Sequence, residues 1–116
     1  MREIDIDQIA SALQDDACVV DVREIGEYVA GHVPGAVNIP MGRLMSRLDE
    51  LDRGAPVYLI CASGNRSGAM ADVLVAQGFD AVNVVGGTGA WVRSGRPVVA
   101  GAEIGAKTGT KTGARR

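Results

Sequence analysis

The most constraining stretch of this chain is Val57-Tyr58-Leu59-Ile60, an uninterrupted apolar run of strand-forming residues. A strand with one face in water alternates apolar and polar side chains, whereas a strand without alternation is buried on both faces. Burial on both faces calls for helices on either side of the sheet, the arrangement of parallel α/β proteins. The rest of the chain agrees. Cys18-Val19-Val20-Asp21-Val22, Ala36-Val37-Asn38-Ile39 and Val82-Asn83-Val84-Val85 read as shorter strands. Helical patterns separate them. Asp7 caps a short helix from Gln8 to Leu13, and Glu24 to Ala30 form another that stops at Gly31. From Met41 to Leu51, the residues Met41, Leu44, Leu48 and Leu51 fall on one stripe of a helix. Gly68 to Gln77 predict a helix with Met70, Val73 and Leu74 inward and Gly78 as its stop. Thr88 to Arg93 predict a last helix, in which Trp91 is a packing residue. Pro34-Gly35 marks a type II turn. Strands and helices alternate, so an α/β domain with a largely parallel sheet is expected.

The 116 residues suit one domain, and a chain of this size buries roughly two-thirds of its unfolded surface without staples. The alternating pattern dies after about Val99. Residues 1–100 are therefore expected to form the domain, and residues 101–116, rich in Gly, Ala, Thr and Lys, a disordered basic tail. The net charge of −2 is the balance of a tail at +3 and a body at −5. An acidic body with scattered aromatics (Tyr28, Tyr58, Phe79, Trp91) offers neither a nucleic-acid platform nor a membrane surface. The opening residues are charged, and no apolar run reaches membrane-spanning length, so a soluble protein of the reducing cytoplasm is expected. Two cysteines and one histidine supply neither a disulfide scaffold nor a zinc site, and neither metal nor cofactor is expected.

Chemistry concentrates where the strongest strand ends. In open parallel sheets, ligands bind beyond the carboxyl ends of the strands, and Cys61 stands there, ahead of a helix. The thiolate is the nucleophile, and a free cysteine has a pKa near 8.5. A helix N-terminus, together with Arg66 folding back, favours the anion. Ala62 and Ser63 are small, Gly64 permits positive φ, and successive N–H groups in such a turn make an anion nest. Ser67 is placed to cap the helix or reach a ligand, and Ser63 and Asn65 to contact substrate. The plainer reading of Cys61 is a buried structural thiol, but an inert thiol has no need of such a loop. Asp21 and Arg23 reach the same edge of the sheet, either supporting the loop or its ligand or forming a structural ion pair. His32 reads as a structural hydrogen-bonding residue, Cys18 as a packed small hydrophobe, and Gly86-Gly87 as a tight turn near the site.

Three segments, in order, give the chain a family likeness: Val20 to Glu24 with Glu27-Tyr28 and Gly31 to Pro40; Cys61 to Ser67; and Gly86-Gly87 followed by Trp91. Together they resemble the single-domain rhodanese (thiosulfate sulfurtransferase) family from about Ile4 to Val99. The resemblance implies a central parallel five-stranded sheet flanked by helices on both faces. It implies that Cys61 takes a sulfane sulfur from a donor such as thiosulfate, becomes a persulfide, and passes the sulfur to cyanide or a thiol. It casts Ala62 to Ser67 as the persulfide-binding loop, with Arg66 holding an anionic donor. The partners it implies are a small sulfur donor, a thiophilic acceptor and a thiol or persulfide carrier protein. Two alternatives stand beside it. Cysteine phosphatases and arsenate reductases use a similar loop, but place one more residue between cysteine and arginine than the four between Cys61 and Arg66. A protein-to-protein sulfur-relay module would use the same cysteine.

Overall fold

The computed structural model describes residues 1–102; the remainder of the expected basic tail lies outside them. Five strands form one sheet: β1 (Arg2–Ile4), β2 (Cys18–Asp21), β3 (Val37–Asn38), β4 (Val57–Ile60) and β5 (Ala81–Val84). All pairings are parallel, in the order β1-β5-β4-β2-β3, with β4 at the centre. The expected five-stranded parallel sheet flanked by helices is what the chain adopts.

The unalternating run in β4 serves two cores. Val57 and Leu59 face one side, with Val20, Leu44, Met70, Ala71, Leu74 and Phe79. Tyr58 and Ile60 face the other, with Ile9, Val19, Val84 and Trp91. The first core is covered by α3 (Met41–Leu44), a 3₁₀ turn (Met45–Glu50) and α4 (Asn65–Ala76). The second is covered by α1 (Ile6–Gln14) and α5 (Gly87–Arg93). The remaining helix, α2 (Ile25–Ala30), follows β2. No helix among the described residues is long and apolar enough to cross a membrane.

Several local expectations need correction. The first helix is capped by Asp5, not Asp7: Asp5 Oδ1 accepts from the Gln8 N–H at 2.9 Å, and Gln8 Oε1 accepts from the Asp5 N–H at 2.9 Å. β1 has no counterpart in the sequence reading, because its three residues pair only at the sheet edge with β5 and only Ile4 packs inward. The stretch Met41 to Leu51 keeps its apolar stripe against the core but not its helix type, which passes from α to 3₁₀ at Met45. The turn kinks at Arg47, whose φ of −123° is not helical, and Arg47 pairs with Glu50 at 2.7 Å. α4 starts at Asn65 instead of Gly68, and its inner face is Met70, Ala71 and Leu74, with Val73 exposed. Cys18 is exposed at the first position of β2, not packed within it.

Candidate active site

The carboxyl end of β4 delivers Cys61 to a loop only four residues long before α4 begins. Gly64 makes that turn possible. Its φ is 101°, and a Cβ there would lie 3.2 Å from the Gly86 nitrogen and 3.4 Å from the Val84 carbonyl oxygen. The turn aims N–H groups inward at the sulfur. Cys61 Sγ accepts from Gly64 N–H at 3.1 Å and from Ser67 N–H at 3.3 Å, and lies 3.2 Å from Ser67 Oγ. Burial of the sulfur opposes ionisation. The N–H groups of Ser67, Gly64 and Ser63 directed at it favour the anion, and the balance holds the thiol below its ordinary range. The expected anion nest is thus present, and Ser67 is part of it through its backbone N–H, with its hydroxyl oxygen 3.2 Å from the sulfur. Ser63 and Asn65 are exposed on its rim, and Ala62 is half-buried.

The head of α5 braces the loop from behind. Thr88 N–H donates to the Cys61 carbonyl at 2.8 Å and Gly89 N–H to the Ala62 carbonyl at 2.9 Å. This approach needs Gly87, since a Cβ there would overlap the Cys61 carbonyl oxygen. Gly87 is therefore a close-packing device against the cysteine's own backbone.

Arg66 departs from expectation. Instead of folding over the sulfur, its guanidinium makes a fork-to-fork pair with Glu27 of α2, at 2.9 and 2.8 Å. The Arg66 hydrogen bonds hold the Glu27 carboxyl down at about 2, and Glu27 in turn raises Arg66. Asp21 and Arg23 form a buried ion pair, with Arg23 Nη2 2.8 Å from Asp21 Oδ2 and 2.8 Å from the Gly31 carbonyl oxygen. The pair ties the end of β2 to the end of α2. Of the two readings for these residues the structural one accounts for Asp21; Arg23 also borders the cleft described next.

That cleft, about 490 Å³, opens beside the loop and is lined by Ala62, Thr88, Gly89, Arg23, Glu27 and Arg93, among others. Cys61 itself is 1% exposed. His32 is fully buried, stacked on Tyr28 with ring centroids 3.6 Å apart, and takes no place at the site. Trp91 packs in the second core and donates to the Pro97 carbonyl at 2.8 Å. Cys18 lies at the other end of the sheet, where desolvation and then the Asp52 charge push its thiol pKa up. Two contributors escaped the sequence reading. Glu27 was part of a motif without a role, and Asn83, which holds Ser67, reads as one polar residue in an apolar strand. The only signal for Asn83 was that interruption of the strand.

Comparison with known proteins agrees with this geometry. The chain belongs to the rhodanese-like domain family, whose model matches residues 5–94. It is 36% identical over 103 residues to a sulfurtransferase of Allochromatium vinosum, covering 86% of this chain and 96% of that protein. It is 46% identical over 74 residues to the "Putative sulfur carrier protein YrkF" of Bacillus subtilis, covering 63% of this chain but only 40% of that longer protein. Among solved structures, a rhodanese-related protein from Thermoplasma volcanium superposes with a TM-score of 0.80 at 34% identity. The match covers 89% of this chain and all of that one. Family and relatives together support sulfur transfer as the general activity.

Proposed function

We propose that this protein is a rhodanese-type sulfurtransferase that carries sulfane sulfur as a persulfide on Cys61. The observation that carries the reading is the set of backbone N–H groups converging on Cys61 Sγ at the end of the central strand. With thiosulfate as donor, the Cys61 thiolate attacks the outer sulfur. A Cys61 S–S bond forms, the thiosulfate S–S bond breaks, and sulfite leaves with the electron pair. The negative charge now rests on the outer sulfur, which stays within reach of the loop from Ala62 to Ser67. A thiophilic acceptor such as cyanide or a thiol then attacks that sulfur and restores the thiolate. The covalent intermediate makes the kinetics ping-pong. The Glu27–Arg66 pair beside the loop presents a neutral rim, and Arg93, which makes no ion pair among the described residues, gives the neighbouring cleft its uncompensated positive charge. A small anionic donor fits there. The chemistry asks for a reducing compartment such as the cytoplasm and for no cofactor. In this reading the chemistry lies within residues 1–100.

The test is sulfur transfer from thiosulfate to cyanide by the wild type and by Cys61→Ser. The wild type turns over, and Cys61→Ser, with an unchanged circular dichroism spectrum, does not. Full transfer by Cys61→Ser would overturn the assignment, and turnover of an aryl phosphate or arsenate in place of thiosulfate would shift it to the phosphatase class. A relay role is the second reading, favoured by the sulfur-carrier relative. It predicts slow thiosulfate turnover beside fast transfer from a protein persulfide.

A further inference from the structure

Behind Cys61 lies a buried chain of polar groups with more acceptors than hydrogens. Asn83 on β5 is 2% exposed, and Ser67 is fully buried. The neighbours of Asn83 set its amide orientation. Its nitrogen lies 3.1 Å from the Gly64 carbonyl oxygen and 3.1 Å from Glu3 Oε2, neither of which carries a hydrogen. Its oxygen therefore faces Ser67, and Ser67 Oγ lies 2.6 Å from Asn83 Oδ1. Two oxygens that close need a hydrogen between them, and only the serine hydroxyl has one. The same hydroxyl lies 3.2 Å from Cys61 Sγ. One hydrogen cannot point both ways.

While Cys61 is a thiol there is no conflict: S–H donates to Ser67 Oγ, and Oγ–H donates to Asn83 Oδ1. Once Cys61 ionises, the hydroxyl has two claimants. Turning it to the sulfur leaves a buried amide oxygen with no donor, which exposes its full desolvation penalty. Leaving it on Asn83 costs the thiolate little, because backbone N–H groups of Gly64 and Ser67 already face it at 3.1 and 3.3 Å. We propose that Asn83 is a positioning residue that holds the Ser67 hydroxyl away from the Cys61 thiolate, so that backbone N–H groups alone carry the anion. A thiolate with one donor fewer is more basic and more nucleophilic. The hydroxyl also need not reorient when charge moves from Sγ to an outer sulfur. The consequence for turnover rests on Cys61 carrying sulfur as proposed above; the ionisation does not.

The test is a titration of Cys61 by thiolate ultraviolet absorbance in a Cys18→Ser background, with a thiol–disulfide exchange rate measured at the high-pH plateau. Asn83→Leu frees the hydroxyl for the sulfur. The midpoint falls by about one pH unit, tenfold in ionisation constant, and the plateau exchange rate drops about threefold. Adding Ser67→Ala to Asn83→Leu restores the midpoint. With Asn83 in place, Ser67→Ala leaves the midpoint unchanged or lower. A rise of about one unit for Ser67→Ala beside native Asn83 would overturn the proposal, as would a folded Asn83→Leu with an unmoved midpoint. Ser67→Ala only trims a helical side chain, so it decides the matter alone if Asn83→Leu does not fold. A wild type that moves no sulfur would sink the sulfurtransferase reading and leave this titration still decisive for Asn83.

Discussion

Cys18 and Cys61 stand at opposite ends of neighbouring parallel strands. Cys18 opens β2 in register with Val57, the first residue of β4, while Cys61 follows Ile60, its last. The side chains are chemically the same, and the sheet ends are not. At the amino end the chain arrives from helices and turns, and a cleft there is lined by Asp15, Asp16 and Asp52 along with Cys18. At the carboxyl end helices begin, so unpaired N–H groups converge on Cys61. One thiol is pushed up by desolvation and a carboxylate; the other is held down against its own burial by donors. The direction of the strand, more than the identity of the residue, decides which cysteine is a candidate nucleophile.

Asp21→Asn attacks the carboxyl end hardest, because it leaves Arg23 charged and 6% exposed. Its expected destabilisation is about 3–5 kcal/mol in urea denaturation. The matching change at the amino end, Asp52→Asn, stays within about 0.5 kcal/mol of wild type and lowers only the Cys18 midpoint. Next in size is the ionisation order. Thiolate absorbance rises in two steps with pH. Cys61→Ser removes the earlier step and Cys18→Ser the later; the reverse assignment would dissolve the comparison. The smallest effect belongs to the Glu27–Arg66 pair. Glu27 has its pKa lowered on folding from 4.5 to about 2, so its stabilising contribution is present above pH 4.5 and is lost as pH falls towards 2. Because both side chains are more than a third exposed, that contribution is about 0.2–1 kcal/mol. Glu27→Gln should flatten this part of the acid-denaturation curve and leave stability near pH 7 lower by no more than that amount.

What the sequence revealed follows the range of the interactions. β4 was legible because double-sided burial leaves a continuous apolar run, and the Cys61 loop because its small residues and Gly64 are contiguous. The partners of that loop were not. Glu27 meets Arg66 across 39 residues of chain and Asn83 meets Ser67 across 16, so no local spacing reports either contact. Arg66 was expected over the sulfur because the loop alone was in view, and the competing carboxylate came from α2. β1 was missed because an edge strand of three residues needs only one apolar side chain. Cys18 was misplaced because an apolar run does not show which of its residues lies at the frayed start of a strand.

In the proposed mechanism one sulfur, at one end of the sheet, does the chemistry. Mass spectrometry of peptides from thiosulfate-treated protein tests it most directly. The expected result is an added mass of about 32 Da, one sulfur atom, on the peptide containing Cys61, absent from the Cys18 peptide and removed by cyanide. The same addition on Cys18, or sulfur transfer with neither cysteine modified, would contradict it.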